Sequence, residues 1–183
     1  MVVTALKPVN LLQNPELYGS GNYYFDDGNA TWNAVHIAHW QSHGYQVQHR
    51  SISKIRNDTY APQVVLTVQP ALSTGFFRQK IDSVIHPDSY NFSWWDIAQV
   101  GGNYNRFLIT LGDKTIMNYT LLEKNAGDVL DPPDFRGPIN FQVKKEMKKN
   151  TELSFQLIGS WPTRVDFGIA SWLISSPKLE RID

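Results

Sequence analysis

His36, His39 and His43 are spaced three and four residues apart, the interval at which imidazoles on one helical face bind zinc or nickel. On a strand His36 and His39 point to opposite faces and the set dissolves. Asp26, Asp27 and Asn29, in the loop from Tyr24 to Thr31, offer the hard oxygen ligands of a calcium site. No spaced third carboxylate and no closing glutamate completes that set, and an ordinary Asp-Gly turn accounts for it as well. No cofactor is expected, calcium being the one these residues leave open. Asp128, Asp131 and Asp134 cluster in a Pro- and Asp-rich loop, but a hydrolytic carboxylate pair is defined by spatial separation. The chain has no Gly-x-Ser-x-Gly elbow, phosphate-cradling glycine loop or His-Glu-x-x-His motif, each of which carries a mechanism. With no cysteine, thiol catalysis, disulfides and thiolate metal sites are excluded. The expectation is a non-enzyme without catalytic residues.

Binding chemistry is better represented. Trp94 and Trp95 are adjacent, so on a strand one ring enters the core and the other leaves it. With Trp94 inward, Trp95 becomes an outward ring, and Gly101-Gly102 lets the following loop bend toward it. Trp95, Asn103, Tyr104 and Arg106 are therefore the candidate contact residues, a ring for the C–H face of a sugar beside donors and acceptors for its hydroxyls. The same residue types serve equally in a subunit contact. Trp32, Trp40 and Trp161 are further candidates at loop edges.

Charge narrows the partners. Lys plus Arg and Asp plus Glu number 17 each, giving a formal net charge of zero, so no general pull toward nucleic acid or an anionic membrane is expected. Lys144, Lys145, Lys148 and Lys149 surround Glu146 and read as a charged hairpin or guarded edge strand. Met1 to Pro15 lacks the apolar run of a signal peptide, and nowhere do 18 apolar residues run together, so cytoplasmic synthesis without a signal peptide is expected.

The elements that must position these groups show period-two alternation broken by Gly, Pro, Asn and Asp about every ten residues, the pattern of an antiparallel sandwich or barrel. Strands are expected at Val9–Leu12, Gly44–Ile52, Gln63–Val68, Phe76–Asp82, Tyr90–Asp96, Phe107–Leu111, Thr115–Leu122, Ile139–Val143, Glu152–Ile158 and Arg164–Ile174. A hairpin is expected about Gly112-Asp113. Trp32–Trp40 is the nearest helical alternative. The expected core is Leu12, Val65, Phe77, Ile81, Phe92, Leu108, Phe155, Phe167 and Ile169. One domain over 1–183 is expected, with an N-terminal arm to about residue 8 and a C-terminal tail from about 175.

Asn10-Leu11-Leu12-Gln13-Asn14-Pro15 resembles the opening strand of galactose-binding-like jelly rolls, where it starts many carbohydrate-binding modules. Phe77-Arg78-Gln79-Lys80-Ile81-Asp82 and Tyr90-Asn91-Phe92-Ser93-Trp94-Trp95 are similar to a pair of strands in the same modules and in jelly-roll domains of tailed-phage tail fibres and other virion proteins. The stretch Val165–Leu173 fits their closing strand. The resemblance runs in order from Asn10 to Ile174 and implies an all-β, two-sheet antiparallel jelly-roll β-sandwich. Phe135-Arg136-Gly137-Pro138 stands where the family has a tryptophan step, so no sugar site carries over by position. The leading expectation is a virion structural or accessory protein of a tailed phage: a capsid decoration, head-fibre or tail-fibre component. Its partners would be other virion proteins and copies of itself, a trimer first of all, with a cell-surface glycan as a further ligand. A freestanding carbohydrate-binding module is the alternative, and a small glycan-active enzyme the second.

Overall fold

Alternation of large apolar and polar side chains is realised throughout as extended chain. The computed structural model describes residues 9–20, 22–24, 36–56, 59–69, 72–99, 104–122, 134–160 and 170–182, and among these every regular element is a strand. They are β1 (Gly19–Ser20), β2 (Asn22–Tyr24), β3 (His36–Ile37), β4 (Trp40–His43), β5 (Gln46–Arg56), β6 (Thr59–Val68) and β7 (Thr74–Lys80). There follow β8 (Asp88–Gln99), β9 (Tyr104–Leu111), β10 (Lys114–Leu122), β11 (Asp134–Val143), β12 (Glu152–Ser160) and β13 (Ala170–Arg181). A five-stranded sheet in the order β10-β9-β12-β7-β4 faces a six-stranded sheet in the order β11-β8-β13-β6-β5-β2, while β1 and β3 form a small ribbon. All pairings within the sheets are antiparallel. Beyond the β9–β10 hairpin, the chain from β7 to β13 changes sheet at every connection. This is a jelly-roll β-sandwich.

Between the sheets lies an aromatic core. Phe155 on β12 is its hub, with ring centroids 5.4 Å from Trp172, 5.8 Å from Phe92, 6.3 Å from Phe77 and 6.4 Å from Trp94. Trp40 stacks on Phe77 at 4.3 Å. These tilted and edge-on contacts suit the ring quadrupoles as well as burying area. Trp40, 6% exposed, is thus a core residue and not a loop-edge contact. Proline within strands is confined to breaks in the ladders: Pro62, Pro138 and Pro177 each fall at a register shift, where a missing N–H interrupts nothing. The hairpin turns at Gly112 with φ of 58°, a conformation open to glycine.

Several expectations are corrected. Val9–Leu12 is not a strand: Asn10 makes a single bridge to Glu180, and residues 10–17 form a strap across one side of the sandwich. The helical alternative fails where it can be seen, because His36–Ile37 and Trp40–His43 are strands joined by a turn. Leu108 is half-buried on the outer face, with Phe107, Ile109 and Leu111 inward; three consecutive apolar residues leave the phase of an alternating pattern open. The inward phase expected from Phe167 and Ile169 would carry on to Ser171 and Leu173, whereas β13 turns Ala170, Trp172 and Ile174 to the core. Phe167 and Ile169 lie outside the described residues. The expected tail is strand through Arg181, paired with β8.

The strap has its own logic. Asn10 Oδ1 accepts the backbone N–H groups of both Leu12 (3.1 Å) and Leu179 (3.0 Å), tying the strap to β13. Gln79, 2% exposed on β7, accepts Gln13 N–H at 2.8 Å and donates to Gln13 O at 2.7 Å. Trp40 Nε1 donates to Gln13 O at 3.1 Å. Leu12 and Leu17 are buried beneath. The strap therefore joins one sheet to the other and satisfies buried polar groups from both.

Candidate functional site

Strands present their outward set to solvent, and on the five-stranded sheet that set is unusually rich in long planar side chains. Gln41 on β4, Arg78 on β7 and Ser154 on β12 lie directly across from one another. His43, Phe76 and Gln156 form the next row. At the end of this face is an open groove of about 330 Å³ lined by Gln13, Gln41, Arg78, Lys80, Asp82 and Glu152, together with His39 and Asn150. His39 and Asn150 both have positive φ, 70° and 71°, a backbone conformation non-glycine residues adopt infrequently.

Arg78 is the best-fixed group in it. Its guanidinium lies 4.1 Å above the Phe76 ring, its Nε donates to Gln41 Oε1 at 3.3 Å, and its Nη1 meets Glu152 Oε1 at 3.4 Å. At the groove's far side Lys149 Nζ is 2.7 Å from Asp82 Oδ1. That hydrogen bond, above the charge of Lys149 and the lesser effects of His39 and Gln13, holds the Asp82 carboxyl below its ordinary range. His43, whose ring sits 5.6 Å from Phe76, has its pKa lowered by burial. The arrangement offers amides, a guanidinium and carboxylates on stiff strands beside an aromatic ring. It can exchange hydrogen bonds with a polyhydroxylated ligand.

The residues singled out from sequence are not brought together. Trp94 is fully buried and Trp95 is half-buried on the outer face of the six-stranded sheet, as the alternation requires. Arg106 is on the outer face of the other sheet, donating from Nε to Asn118 Oδ1 at 2.8 Å. Trp95 and Arg106 therefore stand on opposite sides of the sandwich. Tyr104 begins β9, and Asn103 lies outside the described residues, as do Asp26, Asp27 and Asn29 with their proposed calcium, and Trp32 and Trp161. Among the described residues no group of three His, Asp or Glu could hold a metal ion; His39 lies in the turn before β4 and His43 at the far end of that strand. Sequence reasoning passed over Gln41, Arg78, Lys80 and Glu152. For Arg78 and Lys80 the signal was the alternation of β7, which puts Phe76, Arg78 and Lys80 on one face.

A second depression of about 410 Å³ lies beside the strap, lined by Asn10, Pro15, Glu16, Ser176, Pro177, Lys178 and Glu180. It lacks both an aromatic ring and a guanidinium, so the groove on the five-stranded sheet is the better candidate.

Strand order and sheet packing define the class of protein: an antiparallel jelly-roll β-sandwich, the fold implied by the resemblance to galactose-binding-like domains. No family model and no curated protein matches the chain. Among solved structures it is similar to the enzymatically active domain of tailspike protein 4 of bacteriophage CBA120, with 13% identity, a TM-score of 0.40, and 80% of this chain against 20% of that one. It is also similar to TmCBM61, solved with β-1,4-galactotriose, with 9% identity, a TM-score of 0.35, and 79% of this chain against 90% of that one. A third is the CBM22-1–GH10 fragment of Clostridium thermocellum xylanase 10B with xylohexaose, with 10% identity, a TM-score of 0.39, and 79% against 26%. The chain thus spans about a fifth of the tailspike domain.

Proposed function

We propose that this chain is a non-catalytic jelly-roll module that binds a glycan along the outer face of its five-stranded sheet. The observation that carries the proposal is the groove: about 330 Å³, within the range of small-ligand sites, and lined by amide, guanidinium and carboxylate groups on strands that packing already holds. Such groups pair with sugar hydroxyls through directional hydrogen bonds, and Phe76 supplies an apolar surface under Arg78. The setting we propose is the virion of a tailed phage, where a module of this kind would decorate a capsid or fibre and meet a host surface glycan. That setting rests on the strand motifs around Phe77–Asp82 and Tyr90–Trp95.

A glycan array probed with the wild-type chain and with Gln41→Ala and Arg78→Ala tests the binding. Both variants should lose retention of whatever glycan the wild type holds. The Arg78–Glu152 pair has side chains about one-third exposed, and such pairs contribute roughly 0–1 kcal/mol to folding, so the variants should melt close to wild type. Retention unchanged in both would remove the groove as the site. The virion setting is tested separately, by whether the chain co-sediments with tailed virions or their capsid shells.

A further inference from the structure

Resting on that reading of the groove, we infer that its ligand is an acidic glycan whose sugar carboxylate seats between Arg78 and Lys80. Both carboxylates that line the groove are already met by cations: Glu152 by Arg78 at 3.4 Å and Asp82 by Lys149 at 2.7 Å. Counting Lys149, three cations face two carboxylates. Lys80 is the cation left over. It lies on the same outward face of β7 as Arg78, two residues along, about 7 Å away at the rise of an extended strand. Lys80 is exposed and makes no ion pair with a described residue.

Arg78 is fixed without being used up. A guanidinium carries five N–H donors, and the bonds to Gln41 and Glu152 take up one at Nε and one at Nη1. The Phe76 ring at 4.1 Å holds the plane of the fork. A planar carboxylate matches the remaining edge of such a fork with two parallel charge-assisted bonds. The ammonium of Lys80, on a flexible stem, closes on the other side of the same oxyanion as a point charge. The amide nitrogen of Gln41 and the side chain of Asn150 are then left for hydroxyls of the same or neighbouring sugar rings.

The test is a panel of neutral, uronic-acid and sulfated polysaccharides, followed by titration calorimetry with a matched pair: an oligogalacturonide and the oligogalactoside made by reducing its carboxyl groups. Retention should concentrate among the uronic-acid polysaccharides. The acid member of the pair should bind on the order of tenfold more tightly than the reduced one, and the margin should shrink as salt is added. Lys80→Gln, a change at an exposed strand position, should cut that margin severalfold while the circular dichroism spectrum stays the same. Equal affinity for the two members, retention of sulfated chains alone, or a full margin in Lys80→Gln would overturn the inference while leaving glycan binding in place. Retention of no glycan at all would overturn both.

Discussion

Asp96 shows how much one inward polar residue organises. Its Oδ2 accepts the indole N–H of Trp94 at 3.0 Å and that of Trp172 at 2.9 Å, and the residue is only 7% exposed. Removing the acceptor strands two buried donors, each costing about 1–3 kcal/mol. Asp96→Ala should therefore lower the urea midpoint sharply, whereas Asp96→Asn, which keeps a carbonyl oxygen, should lower it less. Period-two alternation over Tyr90–Asp96 puts Tyr90, Phe92 and Trp94 on one face, and Asp96 follows in phase with them. A carboxylate in step with buried rings was the available sign, but the partner ring on β13 is 76 positions away. His43 makes a second case. Burial lowers its pKa from 6.5, so below that value the unfolded chain binds a proton before the folded chain does, and stability falls as pH drops. The melting temperature should decline from pH 7 toward pH 5, and His43→Gln should flatten part of that decline. Asp82 and Asp88 act only in stronger acid, since the hydrogen bond from Lys149 to Asp82 and that from the Ser89 backbone to Asp88 each lower the carboxyl below 3.8; the stabilisation they bring goes as pH falls through those lowered values.

At the level of elements, β13 explains both what was legible and what was not. It lies between β8 and β6, and a central strand carries apolar residues on both faces, so alternation reports a strand without reporting its phase. Trp172, fully buried and edge-on to Phe107 and Phe155, decides the phase. Trp172→Ala should cost about 3–5 kcal/mol, and Leu173→Ala, at a half-buried outward position, clearly less; denaturation curves of the two variants compare them directly. The bulge between Ser175 and Lys178 then reverses the phase, so that Leu179 returns to the core. That reversal hid the second half of the strand from a period-two pattern. The opening motif has the apolar residues of a strand, yet its work is done by side chains. Asn10→Ala would leave the Leu12 and Leu179 N–H groups without their shared acceptor, and amide exchange at Leu179 should accelerate well beyond any change at Leu66.

For the molecule as a whole, alternation was enough to find an antiparallel all-β fold, because burial on one face per strand is a local property, while the two-sheet jelly roll came from the resemblance in the motifs. The groove was not legible, since Gln13, Gln41, Arg78 and Glu152 come from four separated parts of the chain and meet only through sheet order. The tryptophan pair points to Trp95 instead, and an aromatic content of 13% favours self-association. Much of that content is absorbed by the core, where Trp40, Phe77, Tyr90, Phe92, Trp94, Phe107, Phe155 and Trp172 are buried. Oligomerisation, a trimer included, stays a proposal for analytical ultracentrifugation, where a single monomeric species at high concentration would count against it. The strap has one more consequence. Since Asn10 bridges Glu180 in the antiparallel sense, residues 9 and 181 come opposite one another, so a short glycine-serine linker can join the chain near them and new ends can be cut at the Gly112-Asp113 turn. Such a circular permutant should fold to the same sandwich and bind the same ligand, because the order in which the strands are threaded matters less than the neighbours each one finds.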